Sequence, residues 1–172
     1  MEKFAFILHP LSLEDMEHLS PLMRYIPNPI IEACLKMKKP FKVSHITGIK
    51  SPYAEAEGWF IGCPLTAKQM VELPEEFVMD RIIESGKVAQ ELGAKIVGLG
   101  AFTSIVGDAG ITVAKNLDIA VTSGNSYTVA TAIQGTKQAA RMMGKDLKEC
   151  CAVVVGATGS IGAASVRLLA KE

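Results

Sequence analysis

The chain of 172 residues carries 18 basic and 18 acidic side chains, so its formal net charge is zero at pH 7, and its 49% hydrophobic content predicts a sizeable core. This charge balance argues against nucleic acid and anionic membrane surfaces as partners. No apolar run reaches the roughly 20 residues that a bilayer span needs, and the N-terminus lacks the pattern of a secretory signal. We therefore expect a cytoplasmic protein with one domain of ordinary size, or one domain and the start of a second.

The cysteine and histidine pattern argues against a metal site. The four cysteines are Cys34, Cys63, Cys150 and Cys151. None of them has C-x-x-C spacing and two are adjacent, which suits neither a zinc site nor a disulfide framework. The three histidines are scattered along the chain. We expect no bound metal.

The first predicted element is a strand over residues 4–8, which are mostly apolar. It ends before Pro10, because proline has no N–H with which to continue a strand ladder. Ser12 followed by Asp15 resembles a capping box and predicts a helix that begins near Leu13.

Next come a helix over residues 30–37 and two strands over residues 41–49 and 57–63, which we expect to pair as a hairpin. His45 and Lys50 lie toward the end of the first of these strands, where they could face a ligand. A lone histidine or lysine at such a position is more often structural or solvated.

A short helix opens at Thr66, and a stronger helix follows over residues 75–92, whose apolar residues recur with helical period. Gly93 ends this second helix, as glycine commonly does just past a helix C-terminus.

A buried strand over residues 96–99 leads into a loop that contains Thr103 and Ser104. Open α/β sheets bind their ligands at the carboxyl ends of parallel strands, where this loop lies. A helix over residues 109–116 and a short strand over residues 120–122 complete the pattern, which predicts an α/β domain with a largely parallel sheet.

A second polar turn follows, from which Ser126 caps a long helix ending near residue 143. We expect Thr103, Ser104, Thr122 and Asn125 to floor one cleft. The alternative is that these are turn residues whose side chains only bond to the backbone.

The last predicted unit is a strand over residues 153–155, a glycine loop and a helix capped by Ser160. Gly156 permits the tight turn, Gly159 allows backbone to approach a pyrophosphate, and Gly162 allows the helix to pack on the strand. The spacing G-x-x-G-x-x-G adds one residue to the usual dinucleotide pattern, and a plain strand-to-helix turn is the alternative. The predicted cofactor-binding residues are Gly156, Ala157, Thr158, Gly159, Ser160, Ile161 and Gly162.

These elements predict a substrate domain over residues 1–125, a connecting helix over 126–144, and the first βα unit of a Rossmann-type dinucleotide-binding domain over 145–172. The residue that selects NAD or NADP lies about 20 residues past the glycines. That position falls beyond Glu172, so the loop itself leaves both cofactors open.

Several segments together resemble the N-terminal portion of the long-chain acyl-[acyl-carrier-protein] reductases, a family of enzymes. The segments are residues 43–48 (VSHITG), 57–65 (EGWFIGCPL), 98–106 (GLGAFTSIV), 122–128 (TSGNSYT) and 155–162 (VGATGSIG). They occur in the family's order and cover nearly the whole chain.

The resemblance implies an NADPH-dependent enzyme that takes an acyl group from acyl carrier protein through a cysteine thioester and reduces it to an aldehyde. It implies that this cysteine lies beyond Glu172, so we expect the 172 residues alone to have no reductase activity. Cys63, at a strand end, is the one cysteine here worth testing, and its other interpretation is a small buried apolar residue. The candidate catalytic residues are Lys50, Ser104 and Asn125, which are chosen from their positions at the predicted strand ends and turns and not from the resemblance.

Two other functions remain open. A shikimate-type or methylene-tetrahydropterin-type dehydrogenase has the same two-domain plan with a small-molecule substrate, and a non-catalytic binding module would use the glycine loop only structurally. In each case the apolar strand over residues 153–155 needs a partner. The partner could come from the first domain of the same chain or from a second copy, and we expect a homodimer with residues 145–172 at the interface.

Overall fold

The computed structural model describes residues 1–15 and 21–171. The strands are β1 (Glu2–Leu8), β2 (Phe41–Lys50), β3 (Glu55–Gly62), β4 (Ile96–Leu99) and β5 (Ala120–Thr122). The α-helices are α1 (Asn28–Met37), α2 (Ala67–Glu72), α3 (Glu75–Glu91), α4 (Ile111–Lys115), α5 (Asn125–Met142) and α6 (Ser160–Leu169). Short 3₁₀ turns occupy Pro21–Tyr25, Ala101–Ser104 and Leu147–Glu149.

The sheet has five strands in the order β2-β3-β1-β4-β5. β1 pairs in parallel with both β3 and β4, and β4 pairs in parallel with β5. β2 runs antiparallel to β3, which confirms the predicted hairpin. The predicted α/β class with a largely parallel sheet is therefore confirmed, and the carboxyl ends of β1, β3, β4 and β5 share one edge.

One face of the sheet carries the main core. Ala5, Trp59 and Val97 are paired across three neighbouring strands and are all buried. They belong to one apolar cluster with Val78 and Ile82 of α3, which packs on this face. Side chains alternate along a strand, so the intervening residues project to the other face.

The other face carries aromatic side chains and is partly open. Phe4, Phe6 and Phe60 lie on it, half-buried or exposed. Gly58 and Gly98 lack a Cβ beside them, and the rings of Phe4 and Phe6 cover these two positions. The sheet therefore has one closed face that carries the main core and one face, lined by phenylalanine side chains, that remains partly accessible.

Local signals place the helix ends. The capping box at α2 is complete, with Thr66 accepting from the Gln69 N–H and the Gln69 side chain accepting from the Thr66 N–H. Gly93 has a φ of +85° just past α3, as predicted. The helix predicted over residues 109–116 is shorter, because Ala109 and Gly110 have φ values of +59° and +92° and cannot be helical.

The helix predicted to begin near Leu13 falls mainly on residues 16–20, outside the described residues. At its start, the Asp15 carboxylate accepts hydrogen bonds from the N–H groups of Leu11 and Ser12 at 2.7 and 3.1 Å.

The chain divides into two compact units, Met1–Ser123 and Gly124–Glu172. The sheet belongs to the first unit. In the second, α5 packs against α6, with Val129 and Ile133 buried on α5 and Ser165 on α6.

Three details of the second unit differ from the sequence predictions. Residues 153–155 pair with none of the described strands, because no neighbouring strand is present in this unit to complete a ladder. The cap of α5 is Gly124 rather than Ser126, since a φ of +74° turns the chain into the helix two residues earlier. The cap of α6 is Gly159 rather than Ser160, which is the first helical residue.

None of the helices in the described ranges is both long and apolar enough to cross a bilayer.

Candidate functional site

The glycine loop turns directly into α6. Gly156 has a φ of +74°, which confirms the tight turn predicted there. A Cβ at Gly162 would collide with the carbonyl oxygen of Gly156, so the loop backbone lies directly on the first turn of the helix. The close packing predicted for Gly162 is thus present, but against the loop and not against a strand.

The same loop has an open side. A Cβ at Gly156 would meet nothing within 4 Å, and one at Gly159 would meet only the Gly156 oxygen, at an ordinary 3.4 Å. The cap residue Gly159 offers no side chain to the first-turn amides of α6. These N–H groups and the positive end of the helix dipole suit an anion such as phosphate.

Asn125 and Ser160, two of the predicted site residues, are in direct contact. The Asn125 amide nitrogen donates to the Ser160 hydroxyl oxygen at 2.9 Å. Because each is the first residue of its helix, this bond joins the N-terminus of α5 to that of α6. Ser160 therefore contributes by holding the two helix starts together and not by capping.

Ser104 and Thr103 follow β4 at the carboxyl edge of the sheet, as predicted. The Thr103 hydroxyl donates to the Gly100 carbonyl at 2.7 Å, and the Ser104 hydroxyl donates to the Ala101 carbonyl at the same distance. Both hydroxyls thus bond to local backbone, which agrees with the turn-residue interpretation. Thr103 is only 1% exposed, so of the two only the half-buried Ser104 has lone pairs that a ligand could reach. Ser104 belongs to the first unit and Asn125 to the second, and the cleft shared by them stays a prediction.

Lys50 lies at the other end of the sheet. It is the last residue of β2, pairs in register with Glu55 at the start of β3, and forms an ion pair with that side chain at 2.8 Å. Because β2 is antiparallel, its last residue lies beside the amino ends of the parallel strands. The fold thus separates Lys50 from Ser104, which follows a carboxyl end.

His45 belongs to an exposed polar cluster that the sequence did not predict. Its imidazole stacks on the Trp59 indole, with centroids 5.4 Å apart, and its Nε2 lies 3.1 Å from the Glu57 carboxylate. Lys3 approaches the same carboxylate at 3.5 Å. The Glu57 carboxylate therefore has two partners within the cluster, which is typical of a structural role.

His9 is a residue at the carboxyl edge whose contacts the sequence did not reveal. Its Nε2 lies 3.1 Å from the backbone N–H of Phe102 and its Nδ1 lies 2.9 Å from the Pro10 carbonyl oxygen. Nε2 must accept and Nδ1 must donate, so these contacts assign the neutral Nδ1–H tautomer. The only signal in the sequence was its position at the end of a predicted strand.

Cys63 is buried, and burial raises the pKa of its thiol from the ordinary 9.0 to about 11, against the lowering effect of a hydrogen bond with Ser85. A thiol that stays protonated is a poor nucleophile. The structure therefore favours a packing role for Cys63.

The three other cysteines are exposed. Within the described ranges, no group of three or more histidine, cysteine or acidic side chains is arranged to hold a metal ion.

Comparison with known proteins shows distant relationships. No protein-family model matches the chain. The chain is 30% identical over 180 residues to "Aminotransferase PigE" of Serratia sp. (strain ATCC 39006), with 97% of this chain and 20% of that protein aligned.

It is also 31% identical over 183 residues to the "Long-chain acyl-[acyl-carrier-protein] reductase" of Synechococcus elongatus (strain ATCC 33912 / PCC 7942 / FACHB-805), with 96% of this chain and 51% of the reductase aligned. The chain thus spans about half the length of one curated relative and about a fifth of the other. It is a distant relative of both proteins along nearly its whole length.

Proposed function

We propose that the chain is part of an NAD(P)H-dependent oxidoreductase that reduces an activated acyl group, carried as a thioester on acyl carrier protein, to an aldehyde. In this proposal the first unit supplies the substrate domain, and the second unit supplies the start of a Rossmann-type cofactor domain. The observation that carries the proposal is the glycine loop, which is closed against α6 at Gly162 and open at Gly156 and Gly159.

The loop residues fit a dinucleotide. The first-turn amides of α6, with Ser160 and Ile161 beside Gly159, would hold the phosphates, because no side chain caps them from Gly159. Ala157 and Thr158 are small enough to leave the approach unobstructed. A bound nicotinamide would supply a hydride, which reduces the thioester carbonyl with loss of the thiol and uptake of one proton.

The residues of this chain would act by positioning. Asn125 would fix the loop through its 2.9 Å hydrogen bond to Ser160. The Ser104 hydroxyl, at the carboxyl edge of the sheet, would lie on the side where α/β sheets bind their substrates. Lys50 has no part in this proposal because it lies beside the amino ends of the parallel strands.

The reductase is favoured over the aminotransferase as a guide to function. This chain covers 51% of the reductase and 20% of the aminotransferase, so it represents a larger part of the first. A loop that fits a dinucleotide pyrophosphate also points to hydride chemistry. Among nicotinamide cofactors we propose NADPH, which the resemblance implies, with NADH as the alternative.

Calorimetric titration with NADPH and NADH tests the cofactor part. We expect NADPH to bind, and Gly162→Ala to weaken binding at least tenfold because the new methyl displaces the loop backbone. Gly135→Ala is the matched control, since it adds the same methyl to α5 with nothing within 4 Å. The proposed role of the loop would be refuted if the protein bound neither NADPH nor NADH. It would also be refuted if the Gly162→Ala and Gly135→Ala variants bound NADPH with equal affinity.

Titration with acyl-loaded and unloaded acyl carrier protein tests the substrate part. The loaded form should bind more tightly. Equal affinity for the two forms would contradict recognition of the acyl group.

A further inference from the structure

An apolar groove lies at the carboxyl edge of the sheet, within the first unit. It is bordered by the ends of β1 and β3, the start of β2 and the end of α1, and its volume is about 180 Å³. The lining residues are Leu8, His9, Pro10, Asp15, Leu35, Lys38, Phe41, Val43, Gly62, Cys63 and Pro64. Because β2 is antiparallel, its first residues lie beside the last residues of β3, which brings these elements to one place.

The groove exposes apolar side chains that the core does not use. Leu8 is 39% exposed and Val43 is 46% exposed, and both face this space. Val43 falls within a register shift of the β2–β3 ladder, between the pairs formed by Lys42 and Ser44. Its side chain therefore projects beyond the regular pairing, on the open face of the sheet.

Gly62 keeps the space between these side chains from closing. A Cβ there would lie 3.0 Å from a Val43 methyl carbon and 3.1 Å from the Phe41 ring. A side chain at position 62 would thus occupy the groove and press on both walls. Most of the lining residues are apolar, and the Cys63 side chain is fully buried behind them.

The rim carries a positive charge. Lys38 places its ammonium group 4.1 Å from the centroid of the Phe41 ring and takes part in none of the ion pairs among the described residues. The acidic side chain at the rim, Asp15, is engaged by the N–H groups of Leu11 and Ser12. Lys38 therefore offers a ligand a cationic group at the rim.

We infer that this groove binds the alkyl chain of the acyl substrate, with the polar end of the acyl group facing Lys38. The inference rests on the proposed function for the identity of the substrate, and on the groove itself for the place of binding. A methylene group has about the volume of a water molecule, roughly 30 Å³, so the groove accommodates a run of about six methylenes.

Straight-chain fatty acids from butyrate to octanoate are the probes, and their binding to the unmodified protein is measured by calorimetry. Affinity should rise by about fourfold for each added methylene, the change expected when a methylene leaves water. An affinity that does not change between butyrate and octanoate would overturn the inference.

Two substitutions on the same strand locate the site. Val43→Asp places a carboxylate in the groove and should reduce octanoate affinity at least tenfold. Ile49→Asp is the matched control, because Ile49 is 45% exposed on β2 but lies near its other end. Equal losses in the two variants would overturn the inference. If Val43→Asp fails to fold, Gly62→Ala fills the groove with a single methyl and should weaken octanoate binding.

Lys38→Met tests the polar end. This substitution should weaken octanoate binding while leaving the binding of 1-octanol unchanged. Equal effects on both ligands would show that Lys38 does not bind the carboxylate. NADPH titration of the same samples separates this inference from the proposed function. Loss of NADPH binding with octanoate binding intact refutes only the cofactor loop, whereas the reverse refutes only the groove.

Discussion

The imidazole Nε2 of His9 accepts a hydrogen bond from the backbone N–H of Phe102 at 3.1 Å, which ties the end of β1 to the turn after β4. The edge of His9 also meets the Phe102 ring, with centroids 6.0 Å apart. These contacts hold the carboxyl edge of the sheet, where both the groove and the turn with Ser104 lie. The segments that follow the two neighbouring parallel strands β1 and β4 are thereby linked to each other, past the last hydrogen bonds of the strand ladder.

His9→Ala should lower the free energy of unfolding by about 1–2 kcal/mol, because the Phe102 N–H loses its acceptor in a partly buried place. His9→Gln should recover part of this loss, since its carbonyl oxygen can accept from the same N–H. Urea denaturation followed by circular dichroism measures both. A destabilisation below about 0.3 kcal/mol in the alanine variant would show that water replaces the imidazole at no cost.

Cys63 should make the fold sensitive to alkali. Burial raises the pKa of its thiol from 9.0 to about 11, so the unfolded chain releases this proton first as the pH rises. The contribution of the protonated Cys63 thiol to the free energy of unfolding is fully present below pH 9. It is lost between pH 9 and about 11, where the free energy of unfolding should fall by roughly 3 kcal/mol.

Denaturation curves from pH 7 to 11 test this expectation. Cys63→Ala should be less stable at pH 7 but should show a shallower alkaline decline. Cys34→Ala removes an exposed thiol and should keep the full decline. Identical slopes in the two variants would show that the Cys63 thiol does not cause the alkaline loss.

The ionised carboxylate of Asp108 should stabilise the fold at neutral pH, and this stabilisation should be lost in acid. Its carboxylate accepts from the Thr112 N–H at 2.9 and 3.0 Å and from the Thr112 hydroxyl at 2.7 Å, and these bonds hold its pKa below the ordinary 3.8. A lowered pKa means that the contribution is present above pH 3.8 and is lost as the pH falls through the value in the folded state.

Asp108→Asn should therefore be less stable than the unmodified protein at pH 7, and the difference should shrink below pH 4. Asp80→Asn, an exposed substitution on α3, is the control and should have little effect at either pH. Thermal melts at the two pH values provide the measurement. A difference that does not change with pH would mean that packing, and not charge, explains the effect.

The apolar segment over residues 153–155 should mediate self-association. Val153 is 86% exposed and Val155 is 95% exposed, although both are β-branched residues suited to a buried strand. We predict a homodimer in which this segment is covered by the partner copy.

Light scattering at micromolar concentration tests the dimer. The double variant Val153→Asp with Val155→Asp should shift the mass toward the monomer. Val71→Asp, at a position 70% exposed on α2, should not change it. A monomeric unmodified protein would show the prediction to be wrong.

Much of the first unit follows from local patterns in the sequence. The short apolar runs 96–99 and 120–122 are strands with the predicted bounds, and the short helix predicted to open at Thr66 has Thr66 as its cap. The turn at Gly156 is also local, because the required φ is available to glycine without strain. Each of these features depends on residues within a few positions of one another.

The tertiary structure decided the features that depend on partners distant in the sequence. Residues 153–155 have the composition of a strand, yet a strand forms only where another strand supplies its hydrogen bonds. Lys50 and Ser104 both follow predicted strands, and only the antiparallel direction of β2 places them at opposite ends of the sheet. The bond from Phe102 to His9 joins residues 93 positions apart.

The composition and spacing of the sequence thus determined the strands of the first unit, the helix signals and the glycine turn, because propensity and capping act over a few residues. The groove around Val43 and Gly62 and the bond between Asn125 and Ser160 were decided by the fold alone. Such contacts depend on strand direction, register and helix packing, whose free energies come from burial and pairing between segments that the chain brings together only when it folds.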